Sequence, residues 1–176
     1  MDIIDIAMLF DIQGILSTYP DRSQDFDEPT LIVGNQIFLV TDSNRAVGGL
    51  GTDHLTIRTR PNEIIRWRPL ALFGNGGHSA SVYRIFRVDG AGIVEESSAV
   101  LSGCNIVCPI QRAALDEPQF TISDGLDFYL ESLVSDNTTH DYNVLFYVTE
   151  QDRSSGEPRI AGYFEWRPDI TFVGFE

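Results

Sequence analysis

Two cysteines, three histidines and one run of carboxylates are the residues of this chain with the clearest chemical potential. Cys104 and Cys108 form a C-x3-C pair. On a straight strand their side chains would share a face about 13 Å apart, at a rise of ~3.3 Å per residue. That exceeds disulfide reach, although a turn through Asn105 could close the gap. A zinc site needs more ligands, and neither cysteine has a histidine or a second pair close by in the sequence. The expectation is two reduced, mostly buried thiols. His54, His78 and His140 are far apart and follow no H-x-x-x-H spacing. A Ser-His-Asp site could still assemble in space, because such triads are defined by geometry, but no G-x-S-x-G elbow accompanies them.

Between Tyr19 and Pro29, Asp21, Asp25, Asp27 and Glu28 put four carboxylates into eight residues. Calcium takes oxygen ligands, so the loop 21–28 is a candidate calcium loop. Its D-x-x-x-D-x-D-E spacing lacks the EF-hand pattern and its turn glycine, which favours a solvated loop. Asp136 near Asp141 is a weaker grouping. Gly74-Asn75-Gly76-Gly77-His78 is glycine-rich like a phosphate loop, but no helix or lysine follows, and a hairpin connection is the better reading. Tyr83, Tyr129, Tyr147 and Tyr163 suit either a core or a sugar-binding or subunit surface. No residue is assigned as catalytic, cofactor-binding or metal-binding, and the ligand-binding residues are left open.

The elements that must position these groups are set by length and pattern. At 176 residues, 43% hydrophobic and 11% aromatic, the chain has enough apolar material for a core and is read as one domain, 1–176. Its formal net charge of -14 repels phosphate backbones and anionic membranes, so nucleic acid and membrane are excluded as expected partners. All twelve basic residues are arginine, which rules out Schiff-base and P-loop lysines. The apolar start carries Asp2, Asp5 and Asp11 and lacks the marks of a signal peptide. No stretch approaches the ~20 apolar residues of a membrane span. The expected location is the cytoplasm, where the sequon at Asn137 is only a polar turn.

Period-two alternation runs from end to end, as in Ile4, Ile6, Met8, Phe10 and again in Val144, Phe146, Val148. Turn signals punctuate it at Tyr19-Pro20-Asp21, Gly48-Gly49, Arg60-Pro61-Asn62, Gly74 to Gly77, Asp89-Gly90 and Ser154-Ser155-Gly156. Strands are predicted at 2–11, 31–41, 53–59, 63–72, 80–88, 93–101, 107–114, 119–123, 127–134, 142–150 and 159–167. Residues 12–18 could close into a short helix. The stretch 125–134 fits both templates, and its aromatics favour strand. The fold class is all-β: an antiparallel two-sheet β-sandwich of jelly-roll or Ig-like topology, with at most one or two short helices. Trp67-Arg68-Pro69 and Trp166-Arg167-Pro168 are both expected to end strands.

Several segments, in order along the chain, carry a family resemblance. They are Phe10-Asp11-Ile12-Gln13-Gly14-Ile15-Leu16, Tyr19-Pro20, Pro29-Thr30, Gly49-Leu50-Gly51-Thr52, Ile65-Arg66-Trp67, and Gly162-Tyr163-Phe164-Glu165-Trp166-Arg167-Pro168-Asp169-Ile170. With these the chain resembles the AidA/PixA family of bacterial inclusion-body proteins. The resemblance implies small bacterial proteins, some forming cytoplasmic inclusions and some quorum-regulated and involved in host interaction. It carries over no catalytic residue. With only Met1 and Met8, the chain departs from the methionine-rich inclusion proteins, which weighs against a storage or inclusion role. The leading expectation is a non-enzymatic, self-associating protein without cofactor. The rivals are a lectin-like carbohydrate-binding module, calcium-assisted through the acidic loop and directed at a host-derived ligand, and a hydrolase with a dispersed site.

Overall fold

The computed structural model describes residues 2–72, 77–89, 92–109, 120–152 and 154–175. Gly74 to Gly76 of the glycine loop, Gly90 of the Asp89-Gly90 turn, residues 110–114 of the strand expected at 107–114, and residue 119 lie outside them. The chain opens with β1 (Ile3–Phe10), followed by α1 (Ile12–Thr18). Ile4, Ile6, Met8 and Phe10 alternate into the interior as the period-two pattern demands. The helix starts because Asp11 caps it, its Oδ1 accepting from the Gly14 N–H at 3.0 Å, and it buries Ile12 and Ile15.

The next elements are β2 (Thr30–Leu31), β3 (Ile37–Val40), β4 (Ala46–Gly48), β5 (His54–Thr59) and β6 (Ile64–Ala71). After them come β7 (His78–Asp89), β8 (Gly92–Glu96), β9 (Ser98–Pro109) and β10 (Phe120–Leu133). The chain finishes with β11 (Thr139–Gln151), β12 (Pro158–Trp166) and β13 (Asp169–Gly174). One sheet has the order β3-β1-β6-β10-β9; the other has β2-β12-β11-β13-β5-β4, with β7 on β11 and β8 on β7. The two sheets pack as the expected sandwich. Phe10 and Trp67 of the first sheet meet Phe146 and Tyr142 of the second, with ring centroids 4.8 and 5.1 Å apart.

Most strand pairings are antiparallel, but β1–β6, β12–β2 and β13–β5 are parallel. Parallel neighbours need a long connection, and between β1 and β6 the chain makes it by visiting the other sheet through β2 and β5. β13 continues β12 past Arg167-Pro168. Val144↔Trp166 and Asp141↔Asp169 keep one register along β11 before β13 swings onto β5. Trp166 therefore ends a strand as expected, while Trp67 does not: β6 runs on through Pro69 to Ala71.

Strand boundaries differ from the sequence reading in several places. The strand expected at 93–101 is two, because β8 ends at Glu96 and β9 starts at Ser98. The strand expected at 31–41 is two, because the chain leaves one sheet after β2 and enters the other at β3, turning through Gly34. The gap expected between 101 and 107 is absent, and so is the one between 123 and 127. Gly103, Asp124 and Gly125 look like turn residues, yet each is paired within a continuous ladder from Glu131↔Ser98 to Phe120↔Pro109. β4 and β13 were not anticipated; the first is too short to alternate and the second follows a proline.

Candidate functional site

The departure from a closed sandwich lies in β9 and β10. Only Leu130 to Leu133 of β10 pair with β6, whereas β10 pairs with β9 along its whole length. Pro69 stands just beyond the last paired residue, Trp67, and has no N–H to give to a ladder. From there, residues 120–129 and their partners in β9 project as a two-stranded arm roughly 30 Å long, at ~3.4 Å per residue. Arg68 anchors its base, reaching Asp127 through Nη1 and Asp5 through Nε, each at 2.6 Å. Tyr129 lies beneath Arg66 and Arg68, whose guanidinium carbons sit 4.6 and 4.9 Å from its ring centroid.

Strand alternation sorts the arm into two faces. The face continuous with Leu130, and so with the sandwich interior, carries Leu101 and Val107 of β9. From β10 it carries Phe120, Ile122, Leu126 and Phe128. Five of these are 59–72% exposed and Phe128 is 39% exposed. Their exposed area is roughly 600 Å² by ordinary side-chain areas, at the upper end of the ~300–600 Å² of the largest patch on a typical monomer. The opposite face is mostly polar: Ser102, Thr121, Ser123, Asp127 and both cysteines, with Ile106 lying over Gly125. Cys104 and Cys108 are thus free, half-buried thiols on one face of a straight strand. They are neither in the core nor folded together through Asn105, because β9 does not turn there.

The acidic loop is held against β12 by both backbone and side-chain hydrogen bonds. The Tyr163 N–H donates to the Ser23 carbonyl at 2.9 Å, and Arg22 Nε and Gln24 Nε2 both donate to the Ala161 carbonyl. Arg22 lies so close over Gly162 that a Cβ there would come within 2.8 Å of Arg22 Cγ, so a larger residue would have to displace the Arg22 side chain. Among the described residues, no three of the histidine, cysteine, aspartate and glutamate side chains converge as a metal site, including Asp21, Asp25, Asp27 and Glu28. The loop delivers Phe26 onto an outer-surface cluster of Tyr83, Tyr147 and Tyr163, whose centroids are 6.2–6.4 Å from one another. Tyr83 Oη donates to the Phe26 carbonyl, and partial burial together with the nearby Tyr163 and Asp27 pushes its phenol pKa up.

The three histidines stand apart, each beside its own carboxylate. His54 Nδ1 is 2.7 Å from Asp169, His140 Nε2 is 2.8 Å from Asp136, and His78 is 3.9 Å from Glu150. A hydrogen bond from Thr138, then His140 and the positive charge of Arg87, holds the Asp136 pKa below its ordinary value. Asp141 is raised, because it hydrogen-bonds Asp169 across the strands. Among the described residues, no histidine hydrogen-bonds a serine or a cysteine. A cavity of about 260 Å³ is lined by Glu95, Glu96 and Glu131. Each of these carboxylates already has a partner: the Leu133 N–H, Arg84 and Arg66.

Sequence reasoning missed the arm's apolar face and a buried ion pair, Arg45–Glu63 at 2.9 Å. The face was legible in part. Phe120, Ile122, Leu126 and Phe128 all fall on even positions, but an expected break at 124–126 hid their continuity.

A family model described as PixA, inclusion body protein, matches residues 2–172. The crystal structure of an inclusion body protein (PixA) from Burkholderia cenocepacia J2315 superposes with a TM-score of 0.70 at 18% identity, covering 98% of this chain and 96% of that one. That likeness shows a shared fold. Comparison with curated proteins finds no match. The match over residues 2–172 nearly spans the sequence, and the chain belongs to the PixA family of inclusion body proteins.

Proposed function

We propose that this inclusion-body-type protein is non-enzymatic and works by associating with copies of itself. The observation that carries this reading is the arm's exposed apolar face, continuous with the core-facing side of its sheet. A two-stranded ribbon standing alone is marginal in water, and cover over its apolar face is what would stabilise it. Each carboxylate of the Glu95–Glu131 cavity is already engaged by a donor, which supports the non-enzymatic part of this reading. Light scattering over a range of concentration and pH tests the reading. Masses above the 19.7 kDa of one chain support it, and a monomer under every condition overturns it.

A second reading, carbohydrate binding, is favoured by the platform of Phe26, Tyr83, Tyr147 and Tyr163, since aromatic faces stack on sugar rings. A glycan array with and without calcium checks it. Binding that is lost in Tyr147→Ala supports it, and no reproducible binding counts against it.

A further inference from the structure

The arm's apolar face has an internal layout that selects its partner. Leu101, Leu126 and Phe128 form a cluster near the base, while Val107, Ile122 and Phe120 form another toward the far end. Between them lies a polar waist, Asn105 opposite Asp124. Beside the waist is a cavity of about 390 Å³, lined by Gly103, Asn105, Asp124, Leu126 and, across the ribbon, Cys104 and Gly125. A Cβ added to Gly103 would meet nothing within 4 Å, so the notch is open. Two apolar clusters flanking a central waist make a surface that complements itself when turned through 180°.

Resting on the self-association reading, we propose that its partner surface is the same arm of a second copy. The two arms pack face to face about a two-fold axis through the waist. The base cluster of each then covers the far cluster of the other, and the far cluster's aliphatic groups enter the Gly103 notch. The contact is isologous and closes on itself as a dimer. It buries roughly 1,200 Å² in total, the lower end of what stable specific interfaces use. It also supplies the second layer that the first sheet lacks where it runs past the sandwich, since two apolar sheet faces pack ~10 Å apart into a dry core. A lipid surface is a poor occupant. The chain carries a formal charge of -14, and the face itself bears the carboxylate of Asp124. β9 is the last strand of its sheet, so edge-to-edge pairing through its backbone is the competing contact between copies.

Asp124 is the one formally charged side chain on the described part of this face, and the axis brings two of them together. The proposal therefore predicts opposite effects for two exposed substitutions. Leu126→Asp places a new charge in the contact and weakens the dimer roughly a hundredfold or more. Asp124→Asn removes the repulsion and tightens it severalfold. Both positions are exposed and lie outside the core, so circular dichroism and the melting temperature at low concentration serve as the control for folding.

A geometric test completes the set. Packed sheets are too far apart for a disulfide, so Asn105→Cys is joined by a short bis-maleimide in a Cys104→Ser, Cys108→Ser background. Covalent dimer is expected from Asn105→Cys and not from Ser123→Cys, which sits on the other face. If the chain is monomeric at all concentrations, the self-association reading itself falls. If it assembles, but Leu126→Asp leaves the assembly intact or Ser123→Cys cross-links as well as Asn105→Cys, the arm-to-arm contact is wrong and self-association stands on another surface, such as the β9 edge.

Discussion

Glu63 shows how a single side chain can matter without belonging to any site. Its carboxylate is almost fully buried, and its Oε2 accepts from Arg45 Nη1 at 2.9 Å and from the Arg60 N–H at 2.8 Å. Removing one partner of a buried pair strands the other, so Arg45→Ala should cost about 3–5 kcal/mol in urea unfolding. The double replacement Arg45→Met, Glu63→Met should recover part of that loss; additive losses would contradict this view of the pair. Asp141 makes a prediction of opposite sign. Its pKa is raised by Asp169, so its folded form favours the proton; that contribution is present at low pH and is lost as pH rises through the raised value. Asp141→Asn should therefore raise the melting temperature at pH 7, with a gain that vanishes in acid. A melting-temperature gain independent of pH would refute the assignment. Neither residue was legible in sequence, because both effects depend on neighbours distant along the chain. The partners of the histidines were not legible either: the fold sets His54 beside Asp169, His140 beside Asp136 and His78 beside Glu150.

At the scale of elements, alternation read the central strands well because each has one dry face. It read the arm poorly because glycine and aspartate inside a ladder look the same in sequence as glycine and aspartate in a turn. The familiar short motifs proved to be joints. In Gly49-Leu50-Gly51-Thr52, Gly49 has φ 76°, and an added Cβ would lie 1.7 Å from the His54 carbonyl oxygen. Thr52 Oγ1 ties the turn to Gly49 and His54. Gly49→Ala combines a disfavoured backbone with a direct clash and should cost more than about 1–3 kcal/mol, measured by chemical unfolding. A neutral effect would mean that the turn is not held as described. The acidic loop was legible as a loop. Its role as a strap that sets Phe26 over the tyrosines was not, since that depends on hydrogen bonds to β12 more than a hundred residues away.

For the whole molecule, a charge of -14 sets copies against one another, while in the proposed dimer the arm's apolar face draws them together. Salt screens the first effect and leaves the second, so association should strengthen between about 50 and 500 mM NaCl. Weakening over that range, seen in sedimentation, would point to ion pairs as the contact. The all-β class, the sandwich and the family were readable because they rest on pattern along the chain. The arm was not, because it arises where Pro69 ends one ladder while another continues. Hydrogen–deuterium exchange at two protein concentrations tests the central claim most directly. Covered by a second copy, the amides of residues 99–109 and 120–129 should exchange more slowly at high concentration, while those of β1 and β11 stay unchanged. Arm exchange that is fast and indifferent to concentration would contradict it.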